Sequence, residues 1–190
     1  MMDALTALTS RASAKALLDP APDDAALKRM IEAAVAAPDH GRLRPWHFIA
    51  VRGEARHRLG DVLARALRTR EPDAPEALIE KERGKPLRAP LIVVAAAKLV
   101  PQHKIPTVEQ IVAVGAAAEN LIVAAHAMGY GAMWRTGAPA YDVNVKRALG
   151  LGVDDRIVGF LYIGRPDAAL VPASRPAPET CLIEWTEAAV

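Results

Sequence analysis

Cysteine is nearly absent from this chain of 190 residues, in which Cys181 is the single example. An internal disulfide is therefore impossible, and a metal site built from several cysteines is excluded. An excess of one charge is missing too, since 24 lysines and arginines are balanced by 22 aspartates and glutamates. Nucleic-acid-binding surfaces cluster their cations, whereas here acids alternate with them, as in IEKERGKPLR. The composition argues against a nucleic-acid partner.

Aromatic residues are also scarce, at 4% of a chain that is 52% apolar. Alanine, leucine and valine must therefore fill most of the core, and such small side chains favour closely packed helices. At this length we expect one compact domain. The high apolar share leaves room for a large subunit interface.

The chain also lacks the features of a secreted or membrane protein. No basic segment followed by an apolar block stands near the N-terminus, so we expect no signal peptide. The longest apolar run, 111–128, contains Glu119, Asn120 and His126, which a lipid-facing helix would not tolerate. These observations predict a soluble cytoplasmic protein.

The common catalytic and phosphate-binding motifs are missing as well. Residues 129–134, GYGAMW, contain G-x-G, but they follow a predicted helix and enter a strand, whereas a dinucleotide-binding turn joins a strand to a helix. Neither a Walker A sequence nor a G-x-S-x-G nucleophile elbow occurs. The histidines have no spacing typical of metal ligands. The motifs give no support to a hydrolase or a metalloenzyme.

Hydrophobic periodicity predicts helices and strands that alternate. Leu27, Met30, Ile31, Ala34 and Val35 share one face of a helix that starts at Asp23 or Asp24 and stops before Pro38. Further helices are expected at 3–10, 54–70, 107–128 and 141–149, with another in the charged segment before residue 90, and strands at 46–52, 90–98, 130–137 and 156–164. Four strands with helices on both faces predict an α+β fold, a three-layer α/β/α sandwich.

The helix predicted at 107–128 is apolar nearly all round. Such a helix must be buried on several sides. In a domain this small, a partner subunit is expected to cover part of it.

Cations and hydroxyls stand near both ends of the chain. SRASAK supplies Arg11, Ser13 and Lys15, and PASRP supplies Ser174 and Arg175. These are the donors that a phosphate monoester prefers. Between them lie two further polar segments, APDHGRLRPW and MWRTG.

In this order the four segments resemble the nitroreductase family of FMN-dependent oxidoreductases. The usual family pattern has R-R/H-S near the N-terminus, then A-P-S-x-x-N-x-Q-P-W-x-F, a strand end that touches the flavin ring, and a C-terminal arginine. The resemblance covers nearly the whole chain and is closest to short members that carry APDH and WRSG, the latter here Trp134 to Gly137. The chain departs from the pattern at Arg42 and Arg44, where the family usually has Asn and Gln, and at Ala12, where it has a second basic residue.

The resemblance implies a homodimer with two FMN sites at the subunit interface. The phosphate would be held by Arg11, Ser13 and Arg175, with Ser174 adjacent and with the backbone of Ala12. The residues implied at the flavin ring are Trp134, Arg135 and Thr136, with Ala36 packing nearby and His40 reaching the flavin bound mainly by the other chain. The segment 172–190 would form an arm on the partner subunit.

The implied activity is a ping-pong reaction in which NADH or NADPH reduces FMN and a nitroaromatic, quinone or similar acceptor takes the electrons. No protein acid, base or nucleophile is obligatory in it. Several alternatives remain open. Arg11, Arg135 and Arg175 could be ordinary surface residues and Trp134 a core residue. The protein could instead be a flavin-binding sensor or carrier without turnover, an interaction domain without a cofactor, or a flavin enzyme with a dedicated substrate.

Overall fold

The computed structural model describes residues 2–185 and contains one central antiparallel sheet. Its strands are β1 (Leu17–Leu18), β2 (Trp46–Arg52), β3 (Leu91–Ala97), β4 (Gly131–Arg135) and β5 (Arg156–Pro166). The order across the sheet is β2–β3–β5–β4, and β1 pairs with the last two residues of β5. The four longer strands confirm the predicted ones. The two-residue β1 was not predicted.

Seven helices accompany the sheet in the described part of the chain. They are α1 (Ala4–Ser10), α2 (Asp24–Ala34), α3 (Ala55–Arg70), α4 (Glu76–Arg83), α5 (Thr107–Ala127), α6 (Ala138–Tyr141) and α7 (Val143–Ala148). Single 3-10 turns occur at His40–Arg42, Lys85–Arg88 and Pro178–Thr180. Residues 186–190 of the predicted C-terminal arm lie outside the described residues.

Helices cover both faces of the sheet, because β3 is apolar at every position. Leu91 and Val93 point to the face that packs against α2 and α5, and Ile92 and Val94 point to the face beneath α3, α6 and α7. All seven residues of β3 are buried, as expected for a strand covered on both sides. The predicted three-layer α/β/α sandwich is confirmed.

Helix α5 is the longest helix and is apolar enough to cross a membrane by length and composition alone. In this fold it packs on α2 and on β3, β4 and β5, and Val114, Ala117 and Leu121 are fully buried. It is therefore a core helix of the sandwich. On its outer side, Val108 is 62% exposed and Val112 is 64% exposed, so a single chain leaves one side of the helix uncovered.

The prediction of one helix over 141–149 was wrong about where the helix begins, because α6 ends at Tyr141 and α7 begins at Val143. Asp142 ends α6 and caps α7, and its Oδ1 accepts hydrogen bonds from the backbone N–H groups of Asn144 (2.8 Å) and Val145 (3.2 Å). Aspartate is a preferred N-cap because it satisfies N–H groups that lack a partner in the first turn. The predicted Gly150 follows α7 at a φ of +73°, the left-handed conformation that glycine adopts after a helix.

Candidate functional site

The two ends of the chain meet in a cleft of about 620 Å³, which we call the terminal cleft. Its cations are Arg11, Lys15 and Arg175, and Asp167 is its acidic residue. Arg175 Nη2 donates a hydrogen bond of 3.2 Å to the backbone oxygen of Arg11, across 164 residues of sequence. The fold therefore brings together the N-terminal and C-terminal cations noted in the sequence.

The guanidinium of Arg11 is held in place from one side. Its Nε lies 3.3 Å from Oε1 of Glu119 on helix α5, and the side chain is 18% exposed. The same Nε atom is buried and makes no hydrogen bond within residues 2–185. Arg11 is thus a cation that Glu119 anchors through Nε, and its Nη groups are the donors that could meet an anionic ligand.

His126 stands behind Arg11. Its Nε2 lies 2.9 Å from Ser10 Oγ, and that hydroxyl also donates to the backbone oxygen of Thr6 at 2.6 Å. Burial and, to a smaller extent, the positive charge of Arg11 lower the pKa of His126 below its usual value of 6.5. The imidazole is therefore neutral at pH 7 and adds no charge to the cleft.

The chain segment after Arg11 runs beside strand β4. Ser13 forms a parallel bridge with Ala132, and the backbone N–H of Ala14 donates to the oxygen of Ala132 at 3.0 Å. Ala132 therefore points its backbone groups away from β5. In a strand, residues two positions apart point their backbone groups to the same edge, so the N–H of Trp134 also points away from β5. This part of the outer edge has no backbone partner within residues 2–185.

A second cleft, of about 420 Å³, opens at the end of β4, and we call it the strand-end cleft. It is lined by Leu63 of α3, Lys85 and Arg88 of the 3-10 turn after α4, Met133 to Gly137, Pro139 of α6, and Phe160 and Tyr162 of β5. Ser13 lines the terminal cleft and forms a bridge with Ala132, and the next residue of β4, Met133, lines the strand-end cleft. The two clefts are therefore close to each other near β4.

The indole of Trp134 belongs partly to the core. Its Nε1 donates to the backbone oxygen of Val158 at 3.2 Å, and the ring lies against Gly159, where an added Cβ would overlap it. The residue nevertheless lines the strand-end cleft. The core interpretation therefore describes the indole, and the place of Trp134 at a flavin ring stays a prediction.

His40 lies in a third depression, the α5 groove, which is apart from both clefts and is also lined by Pro38, Val108 and Val112. His40 Nδ1 is 2.5 Å from Oε2 of Glu109. Ala36 is exposed and does not line the groove. Within one chain, these two predicted residues are therefore not brought to the terminal or strand-end cleft.

Arg42 and Arg44 follow His40 in an unusual backbone conformation. Their φ angles are +56° and +52°, a region that side-chain-bearing residues seldom adopt. The loop is held by Asp39, whose Oδ2 accepts a hydrogen bond of 2.6 Å from the backbone N–H of Arg44. Both side chains are exposed.

Sequence reasoning predicted Arg135 but missed the other two cations and the phenol of the strand-end cleft. Lys85 is paired with the buried Glu82 at 2.5 Å, and the other carboxylate oxygen of Glu82 has no hydrogen-bond partner in residues 2–185. Arg88 and Tyr162 complete this group. None of them belongs to a recognisable motif, so only the tertiary packing of α4 and the turn after it on α3, beside β5, could have identified them. Ser174, which was predicted, is exposed and does not line the terminal cleft.

Sequence comparison relates this chain to known proteins. A model of the family described as "Nitroreductase family" matches residues 8–165. YdjA of Escherichia coli strain K12, a protein named for NAD(P)H nitroreductase activity, is 41% identical over 165 residues, which cover 87% of this chain and 89% of the relative.

Solved structures share the fold. A nitroreductase-like family protein from Bacillus cereus superimposes with a TM-score of 0.83 at 24% identity, covering 98% of this chain and 97% of that one. A point mutant of NfnB from Sphigopyxis sp. strain HMH, described as an FMN and NADPH-dependent nitroreductase, gives a TM-score of 0.78 at 22% identity, with 98% and 100% coverage. The matched sequence model, the relative in Escherichia coli and the shared fold agree: this chain belongs to the nitroreductase family.

Proposed function

We propose that this protein is an NAD(P)H-dependent flavoenzyme that binds FMN along strand β4, with the phosphate in the terminal cleft and the ring at the strand-end cleft. The observation that carries the proposal is that the terminal cleft, with three cations and the Ser13 hydroxyl, is joined through the bridge between Ser13 and Ala132 to the strand that lines the partly apolar strand-end cleft. The names of YdjA and NfnB, which refer to NAD(P)H and to FMN with NADPH, agree with it.

At the phosphate end, Arg11 and Arg175 would offset the charge of about −1.5 to −2 that a phosphate monoester carries at pH 7. Ser13 would add a hydroxyl and Ala12 a backbone N–H. Arg11 is already oriented by Glu119, so little side-chain freedom remains to be lost on binding. Ser174 is adjacent in sequence to Arg175 and remains a weaker candidate.

At the ring end, the outward N–H of Trp134 can donate to the polar edge of the flavin, and Thr136 offers a hydroxyl. Arg88 and Arg135 supply positive charge at the same cleft, and such charge stabilises the reduced, anionic ring. FMN would supply the redox chemistry, taking a hydride from NADH or NADPH and passing two electrons to a nitroaromatic or quinone acceptor in a ping-pong sequence. The chain's own groups bind and orient the ring.

The experiment that tests this proposal is the visible absorption spectrum of the purified protein incubated with FMN, repeated without oxygen after adding NADH or NADPH. We expect flavin bands that stay with the protein on gel filtration and that bleach with one of the two nucleotides. Protein that takes up no FMN would end the proposal. Protein that binds FMN but does not bleach would favour the sensor or carrier alternative instead.

We further propose that the enzyme is a cytoplasmic homodimer in which helix α5 and the exposed segment 172–185 face the partner. The exposed Val108 and Val112 on α5, and Leu182, Ile183 and Trp185 in the tail at 70%, 86% and 81% exposure, support an interface, because apolar surface of this extent is usually covered. In such a dimer His40, whose Nδ1 is paired with Glu109, would present its Nε2 to the flavin of the other chain.

Replacing Val112 with glutamate is expected to convert the dimer to a monomer, because the change puts a charge in the middle of the proposed interface. Sedimentation velocity at micromolar concentration measures the outcome. Val153→Glu is the matched control, since Val153 is 72% exposed on the loop after α7 and the same charge there should leave the dimer intact. A wild-type monomer, or a Val112→Glu protein that stays dimeric, would contradict the proposed interface.

A further inference from the structure

Tyr162 is a polar residue of the strand-end cleft that has no role in the flavin contacts proposed above. It lies in β5 opposite Met133 of β4 and is 6% exposed, with its side chain among the residues that line the cleft. No side-chain hydrogen bond of residues 2–185 involves its hydroxyl, and this oxygen is not among the fully buried atoms that lack a partner. The hydroxyl is therefore accessible from the cleft and has a donor to offer to a ligand there.

The charges around the phenol define what it can bind. Arg88 and Arg135 act on it from the cleft walls, and neither forms an ion pair within residues 2–185. Lys85 differs from them because the buried Glu82 neutralises it. The free polar groups that face the cleft are therefore donors and cations, which match a ligand edge that carries oxygen acceptors and gains negative charge.

The phenol is a donor throughout the usual pH range. Burial raises the pKa of Tyr162 above its ordinary value of 10.0, the positive charges of Arg88 and Arg135 oppose this, and Glu82 adds to it. The hydroxyl therefore keeps its proton near pH 7, and the phenolate form plays no part there.

We propose that the Tyr162 hydroxyl donates a hydrogen bond to a carbonyl oxygen of the ring bound in the strand-end cleft. The inference rests on the proposed function, in which that ring is the flavin of FMN. Carbonyl oxygens of the ring carry more negative charge after reduction, so the bond strengthens in the reduced state and raises the reduction potential. Tyr162 is thus a residue that contacts the cofactor and tunes it, while Arg88 and Arg135 add their charge around it.

The test is Tyr162→Phe, which removes one oxygen and keeps the ring that packs beside Phe160. Binding of FMN to the stripped protein is measured by fluorescence titration, and the midpoint potential by equilibration with a reference dye. We expect the affinity for oxidised FMN to fall by about threefold. The affinity for reduced FMN should fall by about tenfold more than that, because hydrogen bonds to charged groups are stronger. That tenfold difference corresponds to a fall of about 30 mV in a two-electron potential.

Tyr141→Phe is the matched control, because Tyr141 is 77% exposed and does not line the cleft; its FMN affinity and potential should equal those of the wild type. If Tyr162→Phe does not fold, an ultraviolet titration of the tyrosines in the wild-type protein replaces it. The tyrosine that ionises last should then ionise at a higher pH when FMN is bound than when it is absent. Unchanged affinity and potential in a folded Tyr162→Phe, or an unchanged titration, would overturn the inference alone. Failure of the wild type to take up FMN would overturn the proposed function and this inference together.

Discussion

Arg11→Ala is expected to weaken FMN binding by about 10- to 150-fold, which corresponds to the roughly 1.5–3 kcal/mol of a hydrogen-bonded charged pair. The loss follows from removing a guanidinium that lines the terminal cleft and that Glu119 anchors through its Nε. Stability without FMN should change much less, because Glu119 is 43% exposed and water can solvate it once Arg11 is gone. Titration of the stripped protein by flavin fluorescence measures the first quantity, and thermal unfolding measures the second.

The matched control is Arg29→Ala, which removes an exposed arginine on helix α2 outside the terminal cleft. It has the same change in charge and should leave the affinity for FMN unaltered. Equal losses in the two variants would mean that general electrostatic attraction, and not a built phosphate site, explains the effect. No loss in Arg11→Ala would remove the terminal cleft from the proposed FMN site.

Gly159→Ala is expected to lower the free energy of unfolding by about 1–3 kcal/mol, the usual cost of overpacking a core. The new methyl group would overlap the Trp134 indole, which fills the space above Gly159 and donates to Val158. The indole must move, and it takes with it the part of β4 that lines the strand-end cleft. We therefore expect weaker FMN binding in addition to the lower stability, measured by chemical denaturation and by flavin titration.

Gly84→Ala is the control for this substitution. Gly84 ends helix α4 at a φ of −73°, and a Cβ there would lie 3.5 Å from the oxygen of Glu80, an ordinary contact. Its stability should stay close to that of the wild type, and its FMN affinity should not change. A Gly159→Ala protein as stable as Gly84→Ala would show that Trp134 does not need its present position.

Much of the fold could be predicted because it depends on local patterns. The apolar face of α2 and the continuous apolar run of β3 are determined by residues a few positions apart. Asp142 shows the limit of that reasoning. In the sequence, Asp142 is one polar residue within a predicted helix. In the structure, its side chain accepts hydrogen bonds from the backbone N–H groups of Asn144 and Val145, and the segment is divided into two helices.

The candidate site was partly predictable for a different reason. Arg11, Arg175 and Trp134 stand in segments that resemble a family pattern, and their expected roles remain predictions that the variants above test. Tyr162 and Arg88 stand in no such segment. Their place at the strand-end cleft depends on how β5 and the turn after α4 pack, which no short-range pattern encodes.

The meeting of Arg11 with Arg175 has a consequence for the order in which the protein matures. The five strands found in residues 2–185 end by Pro166, so these strands are synthesised before Arg175, which lines the terminal cleft. A ligand that bridges the two segments joins Arg11 to Arg175 and stabilises only chains that contain both, by about 2.7 kcal/mol at a hundred times its Kd. Chains clipped in the tail would keep a core and lose this added protection, so cofactor loading would distinguish intact molecules from damaged ones.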